Sequence, residues 1–152
     1  MLTENQVVDT TCLWLEQQGW EIESRCHDTS QGDDILASSS GTEIAVECKG
    51  AISPKTMLPF HSSYIWRSIS GALFNTIRNI ERPRSGRIDA MALPNTQEFR
   101  AMTNILQEFC ERNNVYVFWV VPEGVAEVWQ PIHSIQRTGQ KLRFCPSVDP
   151  RR

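Results

Sequence analysis

The chain has 152 residues, 40% of them hydrophobic, and a formal net charge of −3 at pH 7. This length suits one domain over residues 1–152, with a core of about 3–130 and a tail of about 131–152 for which no element is predicted. The acidic balance argues against a protein that coats nucleic acid non-specifically, but it is compatible with a local basic patch.

The sequence also bears on location and on cysteine chemistry. No stretch approaches the roughly 20 apolar residues that span a bilayer, and the N-terminus lacks the pattern of a secretory signal. We therefore expect a cytoplasmic protein with no membrane partner. The odd number of cysteines and the lack of a CxxC pair favour buried, reduced thiols over a zinc site or disulfides. The cysteines are Cys12, Cys26, Cys48, Cys110 and Cys145.

The first predicted element is a helix over residues 3–18. Thr3 and Gln6 form a capping-box signature at its start. Apolar residues then recur at the spacing of one helical face, at Val8, Cys12 and Leu15. Glu4 lies on the same stripe, where a carboxylate is unusual, although it also suits the positive end of the helix dipole.

Three strands are predicted to follow as a meander, over residues 20–26, 33–38 and 42–49. A turn through Ser38–Gly41 joins the second strand to the third. The third strand alternates with a period of two, so its side chains divide between two faces. One face carries Ile44, Val46 and Cys48, and the other carries Glu43, Ala45, Glu47 and Lys49.

The rest of the chain is predicted to alternate helices and strands after a loop over 50–60. The second helix, over 62–80, has an apolar stripe at Ile65, Ile69, Leu73, Ile77 and Ile80. The later elements are a strand over 87–93, a helix over 96–112, a strand over 115–121 and a further strand over 125–130. The strand over 115–121 is too continuously apolar for an edge. This order predicts an α/β fold with a mixed central sheet flanked by helices.

Three carboxylates and one lysine are predicted to converge at one end of this sheet. An antiparallel hairpin brings Asp34 beside the end of the third strand, next to Glu47 and Lys49. Acidic groups gathered in this way, with Glu4 among them, repel one another unless a cation lies between them. Oxygen ligands without histidine or cysteine favour Mg²⁺ or Mn²⁺. A Glu-x-Lys triplet is common by chance, so the alternative is a solvated strand face.

The pattern Gly-x-Asp-Ile, a turn, an alternating strand and Glu-x-Lys-Gly resembles the PD-(D/E)XK nuclease superfamily, with its restriction-endonuclease-like fold. Within the superfamily, the pattern most resembles that of Mrr-type restriction enzymes and archaeal Holliday-junction resolvases. The resemblance covers roughly residues 3–121 and implies an αβββαβ core. It also implies that Asp34, Glu47 and the backbone carbonyl of Cys48 bind the metal. Lys49 would then orient or activate the attacking water, and Glu4 is similar to the first-helix glutamate of some members.

The chain departs from the superfamily pattern at two places. Asp33 stands where the superfamily name has a proline, and it is an alternative ligand. We favour Asp34 because it directly precedes Ile35-Leu36, as in the family pattern. The glutamine that many members carry in the following helix is absent. That helix offers Ser63, Tyr64 and Arg67 instead.

The resemblance implies a Mg²⁺-dependent or Mn²⁺-dependent DNA endonuclease. Candidate contacts to the DNA backbone are Lys55, Arg67 and Arg78, together with the basic cluster through residues 82–87. Each of these cations is equally compatible with a solvated surface charge. Because one core covers one strand, cutting a duplex would suggest a homodimer. The alternative function is a catalytically inactive restriction-fold domain that serves as a binding or assembly module.

Overall fold

The computed structural model describes residues 1–27, 33–81 and 86–132. The helices are α1 (Glu4–Gln17), α2 (Ser62–Ile80), α3 (Gln97–Asn104) and α4 (Gln107–Asn113). The strands are β1 (Glu21–Arg25), β2 (Ile35–Ser39), β3 (Thr42–Cys48), β4 (Arg87–Pro94), β5 (Val115–Val121) and β6 (Gly124–Trp129). Arg82, Arg84, Cys145 and the predicted tail after Ile132 lie outside the described residues.

The six strands form one mixed sheet in chain order, β1 to β6. The pairs β1–β2, β2–β3 and β5–β6 are antiparallel, whereas β3–β4 and β4–β5 are parallel. The parallel pairs need crossover connections, which α2 and the α3–α4 segment supply. The predicted fold class is therefore confirmed: an α/β protein with an αβββαβ order and a mixed central sheet flanked by helices.

The two faces of the sheet bury separate apolar layers. On one face, α1 packs its predicted stripe against the β3 side chains of Ile44, Val46 and Cys48. On the other face, α2 and the α3–α4 segment cover Met91 and Leu93 of β4. Glu43 and Glu47 belong to this second face because side chains alternate along β3. Strand β5 is buried almost throughout, as its apolar run predicted.

Two predicted helical features differ in the structure. The helix predicted over 96–112 is two helices, because hydrogen bonds from Ile105 and Leu106 to the residues three positions earlier tighten the chain. In α2 the buried residues after Ile69 are Ala72 and Thr76, not Leu73 and Ile77. The predicted stripe is spaced by four from Ile65 to Ile77, and such a stripe drifts around a helix with 3.6 residues per turn, away from the sheet.

A two-residue turn sets the register of the β2–β3 hairpin. Ser40 and Gly41 both have positive φ, at 50° and 80°, the backbone of a tight hairpin loop. The strands then pair from Ser39 with Thr42 to Ile35 with Val46. The residue before Ile35 consequently lies beside the last residues of β3.

The start of α1 is fastened to the chain that follows β3. The backbone N–H of Ala51 donates a 2.8 Å hydrogen bond to the carbonyl of Leu2. A Cβ atom at Gly50 would lie 2.3 Å from the backbone nitrogen of Glu4, so only a glycine permits this approach. The predicted capping box is present, since Thr3 and Gln6 bond reciprocally at 2.8 and 3.3 Å. Glu4 is thereby fixed at the end of β3.

The structure also bears on the cysteines and on the expectation that no segment spans a membrane. Cys12, Cys26, Cys48 and Cys110 are free thiols, and three of these four are buried. Within the described parts of the chain, no helix is both long enough and apolar enough to cross a bilayer.

Candidate active site

Lys49 lies at the centre of a group of three carboxylates. Its Nζ is 2.9 Å from Oε1 of Glu47, 3.5 Å from Oε2 of Glu4 and 3.8 Å from Oδ2 of Asp34. These side chains come from the end of β3, the start of α1 and the residue before β2. The structure therefore brings together the four residues that the sequence proposed as catalytic. Glu4 is the most accessible of them, with 44% of its side chain exposed, against 15% for Lys49.

Backbone hydrogen bonds position the group. The N–H of Lys49 donates to the carbonyl of Ala92 at 3.0 Å, which keeps position 49 aligned with the neighbouring strand β4. On the other side, the N–H of Cys48 donates to Oδ2 of Asp34 at 2.7 Å. The N–H and C=O of one strand residue point to the same neighbour. The Cys48 carbonyl, the predicted backbone ligand, therefore points to the side of β3 on which Asp34 lies.

The charges of the group are strongly coupled. Burial raises the pKa of Asp34 to about 6, and Glu47 adds to the rise, while Lys49 and the Cys48 N–H oppose it. Burial alone would lower the pKa of Lys49. The carboxylates of Glu47, Glu4 and Asp34 outweigh that effect and hold the pKa of Lys49 above its ordinary value. Lys49 is consequently a permanent cation at neutral pH.

The oxygen donors of the group are of the type that a hard divalent cation binds. Asp34 and Glu47 offer carboxylates, and Cys48 offers a carbonyl. The raised pKa of Asp34 means that its ionised form would gain from further positive charge. Within residues 1–27, 33–81 and 86–132 no cluster of three or more His, Cys, Asp or Glu side chains is arranged to hold a metal. Mg²⁺ needs only one or two protein carboxylates, because water and substrate phosphates complete its shell.

Asp33 belongs to a different network from its neighbour. Its Oδ2 accepts a 2.8 Å hydrogen bond from Arg87, and its Oδ1 accepts a 2.6 Å bond from Nδ2 of Asn79. Arg87 also contacts Asp89 at 3.2 Å and Glu43 at 3.7 Å, and only 7% of its side chain is exposed. Both oxygens of Asp33 are thus engaged away from Lys49. Arg87, part of the predicted basic cluster, is buried in this network.

Asn75 also belongs to the carboxylate group around Lys49, although the sequence did not lead us to expect it. Its Nδ2 donates a 2.8 Å hydrogen bond to Oε1 of Glu47, the same oxygen that Lys49 contacts. Ser63, Tyr64 and Arg67, which α2 offers in place of the superfamily glutamine, are all exposed. The available signal was a pair of amides four residues apart, Asn75 and Asn79, because this spacing places both on one flank of a helix.

The three proposed DNA-contacting cations lie outside the carboxylate group. Lys55 is exposed in the loop after β3, and Arg67 and Arg78 are exposed on α2. The two arginines are eleven positions apart, about three helical turns, so they lie on the same side of α2. The segment from Gly50 to Ile80 contains these three cations and no Asp or Glu. That charge pattern contrasts with the net charge of −3 for the whole chain.

Comparison with known proteins identifies the fold. No protein-family profile matches the chain, and no curated protein matches it. A similar solved structure is an XisH family protein from Nostoc punctiforme PCC 73102. It is 18% identical with a TM-score of 0.52, and the match covers 81% of this chain and 98% of that one.

A second similar structure is a FdxN element excision controlling factor protein from Anabaena variabilis. It is 21% identical with a TM-score of 0.53, and the match covers 82% of this chain and 96% of that one. At these identities, the two similarities establish a shared fold over nearly the whole length of both neighbours.

Proposed function

We propose that this chain is a Mg²⁺-dependent or Mn²⁺-dependent DNA endonuclease of the PD-(D/E)XK superfamily. The supporting observation is that one lysine ammonium, that of Lys49, lies within 3.8 Å of both Asp34 and Glu47. The residues of the Asp…Glu-x-Lys pattern that suggested the superfamily thus lie close together at one end of the sheet.

Hydrolysis of a phosphodiester requires an activated water, neutralisation of the charge that develops on phosphorus, and stabilisation of the leaving alkoxide. Asp34, Glu47 and the Cys48 carbonyl would hold the cation, which when bound lowers the pKa of water and neutralises phosphate charge. Lys49 places a fixed positive charge beside the reacting phosphate. Asn75 orients Glu47, and Glu4 restrains the Lys49 ammonium from the side of α1.

Nicking of supercoiled plasmid DNA tests this proposal. We expect the wild-type protein to nick with Mg²⁺ or Mn²⁺ and not with EDTA, and Lys49→Ala to lose at least about 100-fold of that activity, the scale of losing one stabilising group. Arg112→Ala is the matched control, because its side chain is 70% exposed and pairs with Glu108, one turn earlier on the same helix. Melting temperatures check folding.

Removal of Lys49 leaves three carboxylates without their cation, so Asp34→Asn serves as a second inactive variant with less repulsion. Equal nicking by wild type and a folded Asp34→Asn protein would exclude this site as the source of activity.

The alternative is a restriction-fold binding or assembly module that does not cleave. It is favoured by the 2.9 Å pair of Lys49 with Glu47, which compensates part of the acidic charge without a metal. The name of one structural neighbour, an excision controlling factor, is also compatible with a regulatory role. Such a module would show no nicking with any divalent metal and no rise in melting temperature when Mg²⁺ or Mn²⁺ is added.

The proposed endonuclease would act in the cytoplasm. Cutting both strands of a duplex would suggest a homodimer, since one site acts on one strand. Sedimentation with and without a duplex oligonucleotide would test the dimer.

A further inference from the structure

A short hairpin protrudes directly after the carboxylate group. Residues 51–60 fold back on themselves, with Ile52 bridged to Pro59 and the N–H of Ser53 bonded to the carbonyl of Leu58 at 3.0 Å. The N–H of Phe60 donates to the carbonyl of Ala51 at 2.9 Å and closes its base. Residues 51–60 thus form a hairpin, the 51–60 hairpin. Its base lies two residues from Lys49.

The tip of the 51–60 hairpin is apolar and exposed. Met57 is 58% exposed and Leu58 is 63% exposed. At the base, the rings of Phe60 and Tyr64 lie 3.9 Å apart between centroids, and Tyr64 remains 45% exposed. Large apolar side chains grouped at a surface mark a site of contact with another molecule.

The hairpin is within reach of a nucleotide strand held at Lys49. Ser53 follows Lys49 by four residues, an extended reach of at most about 14 Å. Leu58 is bonded opposite Ser53. A DNA strand advances about 3.4 Å per nucleotide, so Ser53 and its partner Leu58 lie at most about four to five nucleotides from the cleavage position.

Charge identifies the class of contact molecule. Lys55 at the tip and Arg67 on α2 are exposed cations, and no Asp or Glu occurs between Gly50 and Ile80. Apolar and aromatic side chains interleaved with cations are suited to unstacked bases and their phosphates. Paired bases are hidden inside a duplex, whose outer surface offers charge but little apolar area.

We propose that the 51–60 hairpin and Tyr64 hold unpaired bases of a single-stranded DNA segment beside the phosphodiester bond at Lys49. This inference rests on the proposed endonuclease function and specifies its substrate class. Met57 and Leu58 contact the bases, Tyr64 stacks on one base, and Lys55 and Arg67 contact the phosphates.

Three oligonucleotides of one sequence test this proposal: a single strand, its full duplex, and a duplex with an unpaired tail. Fluorescence anisotropy in EDTA measures binding without cleavage. We expect the dissociation constants of the single strand and the tailed duplex to be at least about tenfold below that of the full duplex. The double variant Met57→Ser, Leu58→Ser should reduce that preference by about fivefold or more at an unchanged melting temperature.

Leu13→Ser is the matched control, because Leu13 is 57% exposed on α1. It should leave binding and preference unchanged. Equal affinity for paired and unpaired DNA would overturn the proposal. So would a double variant that keeps the preference, or one that changes only the sedimentation of the protein, since a second copy would then occupy the hairpin.

Cleavage of the same three substrates with Mg²⁺ separates the two proposals. Cleavage without any preference for unpaired DNA refutes the substrate class and retains the endonuclease. A binding preference with no cleavage of any substrate refutes the endonuclease and retains the base-binding surface.

Discussion

The backbone N–H of Cys48 donates a 2.7 Å hydrogen bond to the carboxylate of Asp34. A main-chain donor, which every residue except proline possesses, thus holds the carboxylate of the residue before β2 against the end of β3. The thiol of Cys48 lies on the face of the sheet opposite to Glu47 and Lys49, where it is fully buried in the layer beneath α1. The site therefore uses the backbone of position 48 and not its side chain.

Cys48→Ala should consequently retain cleavage. The substitution removes one buried sulfur, and we expect a loss of about 1 kcal/mol in the free energy of unfolding from the small cavity. Urea denaturation and plasmid nicking measure the two effects. A loss of activity without a loss of stability would contradict a purely backbone role and point to the thiol.

Asp34→Asn should stabilise the metal-free protein at neutral pH. Burial and Glu47 raise the pKa of Asp34 from 3.8 to about 6. A carboxylate whose folded pKa lies above its unfolded value destabilises the fold above that pKa, and the penalty disappears below the unfolded value. We therefore expect the variant to be about 1–3 kcal/mol more stable at pH 7–8 and equal to wild type near pH 3, below the unfolded pKa.

Thermal melts in EDTA at the two pH values measure this difference. Added Mg²⁺ or Mn²⁺ at millimolar concentration should raise the melting temperature of the wild type and leave Asp34→Asn nearly unchanged, because an ion that binds only the folded state stabilises it. The same offset at both pH values would show that Asp34 carries no titration penalty.

Glu4→Gln should impair cleavage with little effect on stability. Glu4 is 3.5 Å from the Lys49 ammonium, yet 44% of its side chain is exposed. Solvent screens the stability contribution of such a pair, so we expect a change below about 1 kcal/mol. Cleavage should fall by about tenfold because Glu4 helps to position Lys49, a factor that corresponds to about 1.4 kcal/mol of transition-state stabilisation. Glu16→Gln, an exposed change on the same helix, is the control.

Two asparagines on α2 provide a matched pair. Asn75 bonds Glu47 in the Lys49 group, and Asn79 bonds Asp33 in the Arg87 network. Each alanine variant should lose about 1 kcal/mol of stability, the usual net value of one hydrogen bond. Only Asn75→Ala should also lower cleavage. Equal activities of the two variants would imply that the orientation of Glu47 does not limit the reaction.

Gly50→Ala should separate α1 from the site. The new Cβ would lie 2.3 Å from the backbone of Glu4, and backbone cannot move aside as a flexible side chain can. We expect a loss of more than about 2 kcal/mol in stability, together with reduced cleavage. Gly71→Ala is the control, since a Cβ there meets nothing within 4 Å and alanine favours a helix by about 0.5–1 kcal/mol.

The sequence predicted those features that depend on local periodicity. The alternation along β3 placed Glu47 and Lys49 on one face, and the capping residues placed Glu4 at the start of α1. The break at Ile105 escaped prediction because it depends on a change in backbone hydrogen bonding that the residue pattern does not indicate. It separates α3 from α4 on the face of the sheet that α2 also covers.

The sequence predicted the part of the site that depends on the pairing of β2 with β3, namely Asp34 beside Glu47 and Lys49. The roles of Asp33 and Asn75 escaped prediction because each depends on tertiary packing. Asp33 is bound by Arg87, 54 positions later, and Asn75 lies 28 positions from Glu47. Neither the position of α2 above β3 nor the partners of a buried arginine can be read from local spacing.

The two-residue turn at Ser40 and Gly41 has a consequence for how this chain can vary in length. Adding two residues to each strand beside the turn lengthens the hairpin, keeps the pairing of Ile35 with Val46, and again closes the turn on a hydrogen-bonded pair. Adding a single residue to one strand would shift the register by one and turn every β2 side chain to the opposite face, unless a bulge absorbed it. Insertions at this turn are therefore compatible with the site when both strands lengthen equally and by an even number of residues.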